Sequence, residues 1–419
     1  MWTRLEDFLV SVSLNYSKYR DLLSRLHDLV SNGHCDSDEA DRLRDEMDRA
    51  WAQLDSEEIG LVRELLADLQ GIKSLAKDKS AAERLPELLQ DASLQPAGVT
   101  VWREFLETLR KCEGLVPAWG VFAYKARAWE ALGDEESSLL FLRKSLASDP
   151  GNARLEYTLL GQFWRIRSDE AVERANRIAE DASSHPLLLF KAAEILFGDN
   201  EQREAGKSSE YRRCIALFEK VSQRGTEVHD PPPRSVFSGA HVLAGLCWER
   251  LQNKVNAEAE YSEALRLDPN SVVALVARGK LSYGEDNAAA REDFQRAVEL
   301  KARLVWPYFF LAHASLRNSK FQECIAYCTE GLKRTNDPDI AANLWHWLGI
   351  SRYMANGNKS ELEGSLNRAK ALSPANRDID RNQKLLSEIE QSEEIEFWQI
   401  PPEEEIEEIA QAHFDLELA

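Results

Sequence analysis

The stretch Asn256-Ala-Glu-Ala-Glu-Tyr-Ser-Glu-Ala-Leu-Arg-Leu-Asp-Pro-Asn270 decides how the chain is read. Ala257, Tyr261, Ala264 and Leu265 fall on one helical stripe, because residues three and four apart share a face. The alanines let a second helix approach closely, and the tyrosine fills the space that remains. Asp268-Pro269-Asn270 then stops the helix, since proline cannot continue it and the residue before proline avoids the α region. A partner helix lies upstream, with His241, Ala244, Gly245 and Trp248 at compatible spacing.

The register recurs. Ala290, Phe294 and Ala297 repeat the small–aromatic–small stripe, and Cys324, Cys328 and Gly331 repeat it again. The anchors Ala257, Ala290 and Cys324 stand 33 and 34 residues apart, whereas the step from Cys324 to Leu362 is 38, which predicts a short insertion. That last unit carries Trp345, Leu348 and Gly349, an intact W-x₂-L-G motif, ahead of Leu362. This pattern resembles the tetratricopeptide repeat, a 34-residue helix–turn–helix with W-x₂-L-G-x₂-Y, then A-x₃-F, then P. The resemblance is clearest over 238–374 and again over 119–152, where Phe122, Ala126, Trp129 and Gly133 precede Leu142 and Pro150. It is specific to the repeat class and singles out no family member. It implies an all-α, right-handed solenoid of about seven helix pairs, in which neighbours stack without one central core.

Outside the repeats, residues 1–70 read as three amphipathic helices. Leu5, Phe8, Leu9 and Val12 open the first stripe, and Tyr19, Leu22 and Leu23 continue it. They form either a cap over the end of the solenoid or a small docking segment. Residues 71–100 read as a linker, 101–222 as degenerate repeats, and 223–237, with Pro231-Pro232-Pro233, as a loop. A capping helix is expected at 375–391 and an acidic–hydrophobic tail at 392–419.

Charge bounds the partners. The net charge is −20, and Glu388 to Ala419 hold 12 acidic residues with no Lys or Arg, leaving −8 for the rest. Nucleic acid is disfavoured, because a phosphate backbone demands a basic surface. Anionic membrane surfaces are disfavoured for the same reason, and no apolar run is long enough to span a bilayer. The N-terminus carries acids and lacks a sustained apolar core, so a signal peptide is not expected. The six cysteines are scattered without a C-x-x-C and read as reduced core residues of a cytoplasmic protein, with no metal site and no cofactor. No phosphate-binding glycine loop, zinc-protease motif or nucleophile elbow occurs, so the chain reads as non-enzymatic, an active site hidden among the N-terminal helices being the rival from another class.

In tetratricopeptide domains the first helix of each unit faces the concave groove. Carried over, the resemblance assigns Trp306, Phe309, His313 and Leu316, then His346, Ile350 and Tyr353, to a partner-binding groove. Apolar groups at such positions mark an interaction surface, unless packing or the chain itself covers them. The Lys/Asn/Lys/Arg clamp by which chaperone-binding members grip a terminal carboxylate is absent from 238–374. The implied function is a scaffold that binds a peptide of a partner protein. In the alternative, Phe397, Trp398 and Ile400 of the tail occupy the groove as a self-regulating switch, within one chain or in a homo-oligomer. If His313 or His346 lies in the site, binding is expected to respond between about pH 6 and 7.

Overall fold

Most turns from the first to the second helix of a pair pass through one residue in the left-handed region. Gly133, Gly284 and Gly357 take it at φ 81°, 86° and 67°, and Gln252 and Ser319 take it at 60° and 55°. Glycine adopts this conformation freely, whereas the two side chains are strained there. Capping residues start the helices that follow: Asp134, Asn253 and Asn358 each accept a backbone N–H of the first turn. These local signals, repeated, cut the repeats into helices of 11 to 19 residues.

In the computed structural model, residues 13–70, 77–94, 99–203, 206–225, 228, 230–284, 287–388, 398–406 and 409–410 are described. The regular elements among them are helices, with no strand. The chain divides into two compact units, Met1–Ala192 and Ala193–Ala419.

The first unit opens with α1 (Leu14–Ser31), α2 (Asp38–Trp51) and α3 (Ser56–Gln70). The start of the expected first stripe, at Leu5, Phe8, Leu9 and Val12, lies outside the described residues. Two short helices, α4 (Lys79–Glu83) and α5 (Leu85–Leu94), occupy the span read as a linker and pack on α6 (Val99–Cys112). That correction has a simple cause: Leu85 and Ala92 are buried, so the span contributes core as well as connection. The pairs α7 (Ala118–Ala131) with α8 (Glu135–Ser148), and α9 (Ala153–Ile166) with α10 (Ser168–Glu180), follow.

Buried charge joins the N-terminal helices to the first pair. Asp134, besides capping α8, accepts from Tyr16 Oη at 2.7 Å and Arg20 at 2.8 Å, both on α1. Asp68 of α3 accepts from Arg110 Nε of α6 at 2.8 Å and Trp129 Nε1 of α7 at 3.0 Å. Lys125 Nζ donates to the Asp68 carbonyl at 3.0 Å and to Glu113 at 2.6 Å. Such groups are tolerated inside only because each is paired and hydrogen-bonded.

Helix α11 (Pro186–Glu201) carries the chain from the first unit into the second, which continues with α12 (Ser208–Arg224). Next come α13 (Arg234–Arg250) with α14 (Lys254–Leu267), α15 (Val272–Ser282) with α16 (Asn287–Glu299), and α17 (Trp306–Arg317) with α18 (Phe321–Gly331). The last pair is α19 (Pro338–Asn356) with α20 (Lys359–Leu372), followed by a single helix, α21 (Arg377–Glu388). The loop expected to run to 237 ends sooner, because Pro233 sits at the N-cap of α13, where its missing N–H costs nothing. The pairs from α7/α8 to α19/α20 number seven.

The decisive stripe packs as its spacing requires. Ala257, Tyr261 and Ala264 are fully buried. A Cβ placed on Gly245 of α13 would meet Tyr261 Cε1 at 2.4 Å, so the ring lies directly on the glycine backbone. Gly279 and Phe294 repeat the arrangement in the next pair, with a corresponding approach of 2.8 Å. Burying a ring of that size contributes roughly 2–3 kcal/mol. The insertion expected before Leu362 coincides with α19, which at 19 residues is the longest helix of the second unit.

Candidate peptide-binding groove

A row of rings crosses α16, α17 and α19. Phe294 and Phe310 stack at 4.7 Å, Phe309 meets Trp306 at 5.8 Å and Trp347 at 4.8 Å, and the His313 ring lies 5.3 Å from Trp347. Trp306, Phe309, Leu316 and Ile350 are fully buried in this layer. His313 and His346 are buried as well, and Tyr353 is half-buried. The residues assigned to the groove therefore do not face open solvent. Four of them form a floor, His313 and Tyr353 touch what lies above it, and His346 bonds Asn382 of α21.

What lies above is the chain's own segment 398–406. The Trp398 indole is 3% exposed and meets the Tyr353 ring edge-on, at 5.6 Å and 76°. Asn382 of α21 reads the backbone of Gln399 in both directions: its Oδ1 accepts from Gln399 N at 2.8 Å, and its Nδ2 donates to Gln399 O at 2.8 Å. The second Nδ2 proton goes to His346 Nε2 at 2.6 Å. The Pro401 carbonyl is bonded to His313 Nε2 at 2.8 Å, and Tyr283 Oη lies 2.7 Å from His313 Nδ1. A carbonyl only accepts, so His313 carries its proton on Nε2 and takes the Tyr283 hydroxyl proton at Nδ1. In His346 the tautomer is reversed, because Asn382 donates to Nε2.

Both rings are held neutral. Loss of solvent lowers His346 from its ordinary value to about 4. Desolvation also lowers His313 to about 4, opposed by the Pro401 carbonyl and assisted by the nearby positive charge of Arg317. The response expected between pH 6 and 7 therefore moves to lower pH, because burial penalises the imidazolium.

Further along, Ile400 is half-buried, Pro401 is buried, and residues 403–406 form one helical turn that ends at the fully buried Ile406. Glu403 stands at a cleft of about 290 Å³ lined also by Arg291, Arg317 and Asn318. Of the residues expected to make the tail contacts, Trp398 lies against Tyr353, Ile400 is half-buried, and Phe397 lies outside the described residues.

Asn382 and Tyr283 escaped the sequence reading. Asn382 did leave a signal. It falls between Ile379 and Leu386 on the buried stripe of α21, and a polar side chain on such a stripe must find a partner. Tyr283 left none, since its role depends on an imidazole thirty residues away.

Among the described residues, no group of three or more His, Cys, Asp or Glu is placed to hold a metal ion, and no helix is long and apolar enough to cross a membrane. Cys324 and Cys328, one turn apart on α18, have their sulfurs 3.8 Å apart and are buried.

No family model matches the chain. The DnaJ homolog subfamily C member 7 homolog of Schizosaccharomyces pombe is 27% identical over 158 residues, 37% of this chain. The match spans about a third (32%) of that curated relative. A tetratricopeptide repeat protein from Parabacteroides merdae aligns over 64% of this chain and 99% of its own, at 17% identity and a TM-score of 0.38. The APC/C hetero-tetramer Cut9–Hcn1 aligns over 85% of this chain and 68% of its own, at 16% identity and a TM-score of 0.43. In the register of its repeats and the pairing of its helices, the chain is similar to tetratricopeptide repeat proteins.

Proposed function

We propose that this chain is a non-enzymatic protein–protein interaction scaffold whose second unit binds an extended peptide of a partner along α17, α19 and α21. One observation carries the reading. The side chains of these helices already hold an extended segment, Trp398 to Pro401, by an aromatic contact and by hydrogen bonds to its backbone. Main-chain bonds with side-chain pockets between them are how folded domains commonly hold extended peptides.

The same contacts favour a second reading of how the scaffold is controlled. With residues 398–406 seated, a partner gains access only by displacing them, which makes the tail a regulatory occupant. The test is cross-linking in native extract, comparing the full chain with its Trp398→Ala variant. Partner cross-links that fall on α17, α19 and α21 and increase in the variant support a groove under tail control. Equal cross-links in both support an open scaffold. Cross-links confined to other surfaces, or none, would refute the groove as the binding site.

A further inference from the structure

The seated segment shows what chemistry the groove selects, and each contact can be assigned. The Trp398 position requires a flat ring, because it is closed against Tyr353. The next residue is read through its backbone alone, since Asn382 takes both its N–H and its C=O while the Gln399 side chain is exposed. Pro401 is buried and has no N–H, so its burial strands no donor, while Pro402 beside it is exposed. The Pro401 carbonyl, like that of Gln399, meets a buried donor, here His313 Nε2. Consecutive prolines also hold the extended form before binding and so reduce the ordering cost. After them the chain turns helical, with Glu403 at a cleft carrying Arg291 and the exposed Arg317, where an acid is favoured and a base is not.

Building on the scaffold reading, we infer that the groove of the second unit recognises a Trp-x-x-Pro-Pro segment followed by an acidic helical turn, supplied by a partner protein in place of residues 398–406. The tail is the resident copy of this ligand. A tethered segment acts at a local concentration in the millimolar range, so a partner must match its chemistry to compete. Specificity resides in the indole and the buried first proline, and the exposed second proline helps to hold the segment extended. The acids set the direction in which the segment lies.

The experiment uses the full chain and a synthetic fluorescent peptide with the sequence of residues 398–410. The peptide is titrated by anisotropy into the unaltered chain and into a Trp398→Ala/Pro401→Ala double variant whose helicity is checked by circular dichroism. Binding at least about tenfold tighter to the double variant is expected, because the resident competitor is weakened. Replacing the tryptophan of the peptide by alanine should then cost about thirtyfold or more, as loss of a buried aromatic anchor does. Adding Asn382→Ala to the double variant should weaken binding of every peptide alike, since that contact reads only backbone. An intact double variant that does not bind the peptide, or binds it equally with alanine for tryptophan, overturns the inference. So does a doubling of the mass of the double variant in light scattering, which would make a second copy the occupant.

If the double variant is not helical, hydrogen exchange on the unaltered chain decides. Millimolar peptide should speed exchange of the Gln399 amide while α17 and α21 stay protected, and an unchanged Gln399 amide overturns the inference. The titration needs no cellular partner and the cross-linking needs no peptide, so either reading can fail while the other stands.

Discussion

Replacing glycine by alanine at two helical positions of the second unit should move stability in opposite directions. Gly364, in the middle of α20, has open space where a Cβ would stand. Gly364→Ala therefore collects the ordinary helix-propensity gain of about 0.8–1 kcal/mol. Gly245 of α13 gains as much in propensity, but its methyl would stand 2.4, 2.8 and 2.9 Å from three atoms of the Tyr261 ring. The ring is fully buried and has nowhere to retreat, so an overpacking cost of about 2–3 kcal/mol applies. The net effect of Gly245→Ala is a loss of about 1–2 kcal/mol. Urea unfolding followed by far-ultraviolet circular dichroism measures both variants. Because repeat arrays need not unfold in one step, hydrogen exchange in α13 and α14 gives the local value. A Tyr261→Leu substitution should make room for the methyl, so the double variant Gly245→Ala/Tyr261→Leu should cost less than the two changes summed. If Gly245→Ala raises the urea midpoint as Gly364→Ala does, ring-on-glycine contact is not what holds these pairs, and the packing argument for the repeat fails.

Three further outcomes are expected. Asp68→Ala removes the carboxylate that Arg110 and Trp129 share and should cost the first unit about 3–5 kcal/mol, read as lost amide protection in α3, α6 and α7. His313 and His346 have folded values of about 4, below the ordinary 6.5, so the unfolded chain binds protons first. Their contribution is present above pH 6.5 and falls away as pH drops towards 4, by about 3 kcal/mol for each ring. The melting temperature should decline over that window, and His313→Gln, which keeps a donor for Pro401, should flatten the decline. Five of the six thiols are buried, and burial raises the Cys112, Cys247 and Cys328 thiols, so a thiol reagent should label only Cys35 quickly in the native chain.

The repeat could be read from sequence because its physics is local. Ala257, Tyr261 and Ala264 lie within two helical turns, and their spacing alone requires a buried face against which a second helix can lie. The identity of what covers the groove was not local. His313 and Pro401 are 88 residues apart, and no periodicity connects an imidazole on α17 to a proline carbonyl in the tail. Position in the unit placed Trp306 and Phe309 on the helix that lines the groove, yet it did not distinguish a floor from a surface. That difference depends on Trp347 and on segment 398–406, which come later in the chain. The buried network around Asp68 was equally hidden. With 30% of residues charged, a single aspartate on an amphipathic helix carries no mark of burial until Arg110 and Lys125 are brought to it.

The grip of Asn382 on Gln399 bears on how this segment can change over evolutionary time. A carboxamide that takes from residue 399 only its peptide N–H and C=O is indifferent to that residue's side chain, which here is exposed. Position 399 is thus free to drift through nearly the whole amino-acid alphabet. Proline is the exception, since it would delete the N–H that Asn382 accepts. Variation tolerated by the lineage should collect at this site, between the buried Trp398 and Pro401, which cannot move.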